Sequence, residues 1–150
     1  MIYKKSWKYI LIRTTEYLYL FRLKALKDFS NVSKGDLGGF VHSYHNLSQS
    51  GKCWVYDKAK VCGNAHVSEN AIIFGDAEVY GNSKVFGESK ISGLANIKDN
   101  AEISGYADIK DNARVYGYAK ISGNTHIYGN ARVCNNVRID GNAKVSGSDR

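Results

Sequence analysis

The chain has 150 residues, 43% of them hydrophobic, with no proline and a formal net charge of +7. That length favours one cored domain over two. Three cysteines without a CxxC spacing exclude a paired-cysteine metal site, and the charge sits mainly at one end. Residues 1–50 carry eight Lys/Arg against three Asp/Glu, whereas residues 51–150 carry thirteen against eleven.

Met1 to Phe21 contains an apolar run, but Arg13 and Glu16 interrupt it and no small-residue cleavage site follows. Neither a secretory signal nor a membrane span is expected. Free thiols without a signal fit a reducing cytoplasm. Lys8 to Arg13 and Tyr17 to Leu23 read as strands joined around Thr14-Thr15, with a helix from Glu16 to Leu26 as the alternative. Apolar residues lie on both alternating faces, so this hairpin needs cover on both sides, and its natural role is a cap over an open sheet edge. Lys4, Lys5, Lys8 and Lys24 either keep the hairpin soluble or present a basic surface to phosphates or an acidic protein. Ser30 to Gly39 is turn-rich and reads as an ordered lead-in loop. Residues 1–40 are thus assigned to a cap and lead-in, and residues 41–150 to a repeat.

From Val55 to Val145 every sixth residue is Val or Ile, without exception. Four places after each comes a small residue, as in Ala59, Ala65, Ser83, Ala101 and Thr125. Gly-Asn, Gly-Asp or a related pair lies between. A fixed short period marks a solenoid, whose repeats bury their apolar faces only by stacking. Six does not fit a helical period of 3.6, while x-Val-x triplets separated by Gly-Asn fit short strands and corners. Gly and Asn are the residues that best accept positive φ. Val41, Leu47 and Cys53 continue the small column backwards, and Gln49 breaks the aliphatic one.

This pattern of an aliphatic residue, three others, a small residue and one more resembles the hexapeptide-repeat, left-handed parallel β-helix proteins. The match covers roughly two-thirds of the chain. The resemblance implies an all-β fold of about five triangular coils of 18 residues, wound left-handed, in a prism roughly 25 Å long. Among such proteins the chain looks most like the Gly-Asn-Ala-rich repeat proteins of bacterial prophages, through Lys27-Asp28-Phe29, Gly35-Asp36-Leu37-Gly38-Gly39 and Asn46-Leu47-Ser48-Gln49. Hexapeptide acyltransferases use a histidine base at a cleft between subunits, with an acyl-CoA donor, which brings His42, His45, His66 and His126 under consideration. The repeats hold no inserted loop to build an acceptor pocket, and no catalytic residue of those enzymes transfers by position. The expectation is a scaffold without catalysis, cofactor or metal.

Stacking of three hexapeptides per coil places Trp54, Tyr56, Ile72 and Phe74 on one outward face near the cap. Four large apolar side chains need cover, either from Tyr17, Tyr19 or Phe21 of the hairpin or from a second copy in a homo-oligomer. The next face carries Tyr80 and Tyr116 in one column, Arg114 and Arg132 in the adjacent one, and Tyr118 at the following corner. Tyr and Arg are the residues that most often anchor protein partners. Cys62 and Cys134 share an outward column four coils apart, ~19 Å, too far for a disulfide. The leading functional expectation is a non-enzymatic binding module of phage or prophage origin that engages a protein of the bacterial host, such as a defence protein. An acyltransferase relative and a nucleic-acid binder acting through the basic cap are the alternatives.

Overall fold

The structure, a computed structural model, describes residues 6–147. Two antiparallel strands, β1 (Tyr9–Arg13) and β2 (Phe21–Ala25), precede β3 (Leu37–Val41), which opens the solenoid. Every Val or Ile of the six-residue column then falls in a strand of two to four residues, from Trp54–Val55 to Lys144–Gly147. Each of these strands pairs in parallel with the strand three hexapeptides on, as Ile73 does with Ile91 and Ile91 with Ile109. The result is three sheets around one core. The first face contains β3 and the strands at 60–61, 78–79, 96–97, 114–115 and 132–133. The second runs from 66–67 to 138–139, and the third from 54–55 to 144–147. The solenoid thus has about six turns, an irregular first one followed by regular coils of three hexapeptides each.

The core follows from the two columns. Val61, Ile73, Ile97, Ile103 and Ile109 are fully buried, as are Ala59, Ala77, Ala101 and Ala113 in the corners. Where Ser or Thr replaces Ala, the hydroxyl donates to the carbonyl three residues back: Ser83 to Tyr80 at 2.8 Å, Ser89 to Phe86 at 2.7 Å and Thr125 to Ser122 at 2.7 Å. A polar atom in the small column is therefore satisfied within its own turn.

At the regular corners the first residue of each pair takes positive φ, Gly at most of them and Asn135 at one. At Gly105 space as well as angle calls for Gly: a Cβ there would lie 2.6 Å from the amide nitrogen of Gly123 in the next coil. Asp57, Asp99 and Asp111 also adopt this conformation. Each carboxylate accepts the amide N–H of the glycine one coil on, Gly75, Gly117 and Gly129, at 3.0, 3.0 and 2.9 Å. The bond to an otherwise open corner amide offsets the steric cost of left-handed backbone.

Three expectations for the start of the chain are corrected. The second hairpin strand is Phe21–Ala25, not Tyr17–Leu23, and no helix spans 16–26, because β2 pairs on both sides. Arg13 pairs with Phe21 in β1, while Phe21 and Arg22 pair with Val41 and Phe40 in β3. Val41 and Leu47 belong to the aliphatic column, opposite Val61 and Val67, a longer step along the chain than any regular coil takes. The two extra residues fall between Leu47 and Val55, eight apart where the repeat has six, and the ordinary six-residue step from Val41 to Leu47 is made by a 3-10 turn at Tyr44–Asn46. There Asn46 accepts from the amides of His42 and Ser43 and donates to the carbonyls of Gly63 and Ala65. Cys53 does lie in the small column, inside.

Lys8 is the third correction. It does not solubilise the hairpin: it is 1% exposed, and its ammonium donates to the carbonyls of Cys53 at 2.7 Å and Gly51 at 3.3 Å. Lys24 is exposed, and Lys4 and Lys5 lie outside the described residues. In the regular coils the N–H of one coil donates to the carbonyl of the next, as His66 does to Ser83. Beside the first coil side chains take over as donors: Lys8 to Gly51 and Cys53, Tyr9 through its hydroxyl to Leu47, and Arg22 to Gly38. Gln49, where the aliphatic column breaks, accepts from the amides of Lys8 and Tyr9 and donates to the Tyr9 carbonyl.

Candidate partner-binding face

The parallel register alone positions the outward residues of the first face. One column reads Lys60, Glu78, Asn96, Arg114 and Arg132. Two places further along each coil lie Cys62, Tyr80, Lys98, Tyr116 and Cys134. Rungs in each column are ~4.8 Å apart. Four of the five predicted partner-binding residues, Tyr80, Arg114, Tyr116 and Arg132, therefore share this face, and Tyr118, 62% exposed, stands at its edge.

Lys98 is absent from the residues expected on this face, although its position midway between Tyr80 and Tyr116 in their column signals it. Its Nζ lies 5.4 Å from the centre of the Tyr116 ring, within cation–π range. A hydrogen bond with the Cys134 side chain pushes the Tyr116 hydroxyl above its ordinary pKa, and partial burial does the same for Tyr80, helped by Glu78. Both phenols are neutral donors at neutral pH. Arg114 and Arg132 are exposed, face each other across adjacent coils, and form no ion pair among the described residues. The Asn96 Oδ1 beside Arg114 is buried without a hydrogen-bond partner among the described residues.

The predicted cluster on the third face is only partly at the surface. Trp54 is 1% exposed, covered by Phe29 at 5.2 Å and Tyr9 at 6.1 Å between ring centres, and Gly38 packs against its indole. The hairpin does supply part of the cover, through Tyr9 of β1, and Phe29 beyond β2 supplies the rest. Tyr17 packs edge-on against Phe40 at 4.8 Å and Tyr19 is 76% exposed. Tyr56, Ile72 and Phe74 are half-buried. Between the lead-in loop and this face lies an open hollow of about 290 Å3, bordered by Lys52, Tyr56, Asn70, Ile72, Glu88 and Lys90. On its rim Asn70 Nδ2 donates to Glu88 Oε1 at 3.1 Å.

The histidines are dispersed. His45 and His66 pack together at 5.2 Å between ring centres, and His66 Nδ1 contacts the His45 carbonyl. His126 Nδ1 lies 3.9 Å from Asp108 on the third face, and His42 is exposed on the first. Neither His66 nor His126 borders the hollow. Among the described residues no group of three His, Cys, Asp or Glu is placed to hold a metal ion, and no helix is long and apolar enough to cross a membrane. No protein-family model matches the chain, and no curated protein matches it either.

Proposed function

We propose that this β-solenoid is a non-enzymatic binding module of phage or prophage origin that engages a protein of the bacterial host through its first face, with host defence proteins as the class to test first. The observation that carries the reading is the pair of exposed arginines, Arg114 and Arg132, stacked in register without an acidic partner among the described residues, beside the Tyr80–Lys98–Tyr116 column. Like charges directly opposite each other on a sheet cost stability. A carboxylate-bearing partner relieves that cost and receives two guanidinium forks at once. The face is held by backbone pairing on both sides, so little ordering is needed on binding.

The test is affinity capture from nuclease-treated bacterial lysate, followed by titration of the captured protein with purified variants. Arg114→Ala with Tyr116→Ala should leave the melting temperature near that of the parent and weaken binding roughly 30-fold, the equivalent of about 2 kcal/mol. Unchanged affinity removes this face from the proposal. Capture from untreated lysate that collapses with added salt and disappears once the lysate is nuclease-treated points to nucleic acid instead.

A further inference from the structure

Lys8 and Cys53 form the most unusual polar contact in the molecule, and the binding face makes no use of it. Their Nζ and Sγ atoms are 3.3 Å apart, and the two residues are 1% and 0% exposed. The Phe29 ring closes the site, 5.1 Å from Nζ to its centre. Burial pushes the lysine amine below its ordinary range and the cysteine thiol above it, each partly countered by the other. An amine that is easily deprotonated therefore stands against a sulfur whose other polar contacts are the carbonyls of Ser48 and Ser50, neither of them a nucleophile.

We propose that Lys8 and Cys53 are a site of reversible oxidative cross-linking, in which Nζ and Sγ join as a sulfenamide and fasten the start of β1 to the first coil. The oxidant is a peroxide. In the first step the Cys53 thiolate attacks one peroxide oxygen, the O–O bond breaks, and the sulfur becomes a sulfenic acid with release of water. In the second the neutral Lys8 amine attacks that sulfur, the S–O bond breaks and a second water leaves, so that the protein has lost two hydrogens in total. Sulfenic acids condense in this way with thiols and with backbone nitrogen, and a side-chain amine held in contact is the stronger nucleophile. Two external thiol groups reverse the link: the first attacks sulfur and expels the amine, leaving a mixed disulfide, and the second breaks that disulfide to return the Cys53 thiol. Peroxide reaches Sγ when the hairpin opens locally, where the thiol meets water and ionises normally; reclosure then brings the amine back onto the oxidised sulfur.

The experiment uses the full chain carrying Cys62→Ser and Cys134→Ser, both half-buried outward positions, so that Cys53 is the remaining thiol. After hydrogen peroxide treatment, intact mass should fall by two hydrogens. Peptide mapping without reductant should recover Lys8 joined to Cys53, and dithiothreitol should restore both peptides. In Lys8→Arg the product should be a sulfenic acid at Cys53 that is labelled by dimedone. The same map on the untouched wild-type chain keeps the test independent of whether either variant folds. Dimedone labelling of Cys53 with Lys8 present, a higher oxide at Cys53, or an unreacted Cys53 under conditions that oxidise Cys62 and Cys134 would overturn the assignment.

Discussion

Ile103 is fully buried at the middle of the second face, between Val85 in the coil before and Ile121 in the coil after. Replacing it with Ala removes three carbons' worth of buried aliphatic surface. At about 0.8 kcal/mol per carbon that is roughly 2.4 kcal/mol. The fixed stacking of the flanking coils prevents collapse into the space, and the cavity left behind brings the loss to about 3–4 kcal/mol. Ile139 occupies the same column at the far end, where only part of the side chain is covered, so the same truncation there should cost about 1 kcal/mol. Urea unfolding followed by circular dichroism measures both, and at ~2–4 °C per kcal/mol the melting temperatures should separate by roughly 4–12 °C. In a solenoid each repeat contacts only its neighbours, so Ile103→Ala should also broaden the transition by uncoupling the two halves. Equal losses at the two positions would refute the view that the column is packed by stacking and not by the local turn.

Gly105→Ala and Gly141→Ala both place a side chain at positive φ, but among the described residues only the first meets a neighbouring coil, while none lies within 4 Å of the second. The Gly141 variant should lose about 1 kcal/mol from backbone strain alone, and the Gly105 variant at least twice that, by thermal melting. The pH dependence follows from Cys53, whose thiol is pushed by burial above its ordinary value of 9.0. A raised acid pKa in the folded state makes a contribution that is whole below pH 9 and is lost as pH rises through the folded value. Lys8, lowered from 10.5, acts in the opposite sense, adding stability as pH rises towards 10.5. Chemical denaturation between about pH 8 and 10 should therefore show a shallower alkaline decline for Cys53→Ala than for wild type, and identical slopes would mean that Cys53 ionises freely.

The regular coils were legible in the sequence because the repeat is nearly self-similar: each residue's neighbour lies three hexapeptides away, so pairing, burial and facing follow from arithmetic. Tyr80, Arg114, Tyr116 and Arg132 come together on that basis alone, and Lys98 could have joined them. The start of the chain was not legible in this way. Lys8 reads as a surface cation until the carbonyls of Gly51 and Cys53 are seen to lie beside it, and those contacts cross 43 and 45 residues of chain with no periodic rule. The cover over Trp54 comes from Phe29 and Tyr9, on two non-repeating segments. The longer first coil was hidden because two extra residues between Leu47 and Val55 keep the six-residue spacing and apolar character of Val41 and Leu47 while shifting their column. The corner aspartates were missed because a left-handed Asp needs a partner in the next coil to justify it, and that partner is a backbone amide.

The fixed pairing of each coil with the next makes the surface sensitive to the size of insertions and deletions, not only to substitution. Loss of a whole coil, such as 91–108, would bring the Arg114–Arg132 rungs one step nearer the hairpin and leave them on the same face. Loss of a single hexapeptide would preserve both interior columns, and hence the fold, yet carry every later residue round to a neighbouring face. Tyr80 would stay behind while Arg114 and Tyr116 moved away from it. A gene encoding such a chain can therefore vary in length by eighteen codons and conserve the proposed binding face, or by six and rebuild it on an unchanged core.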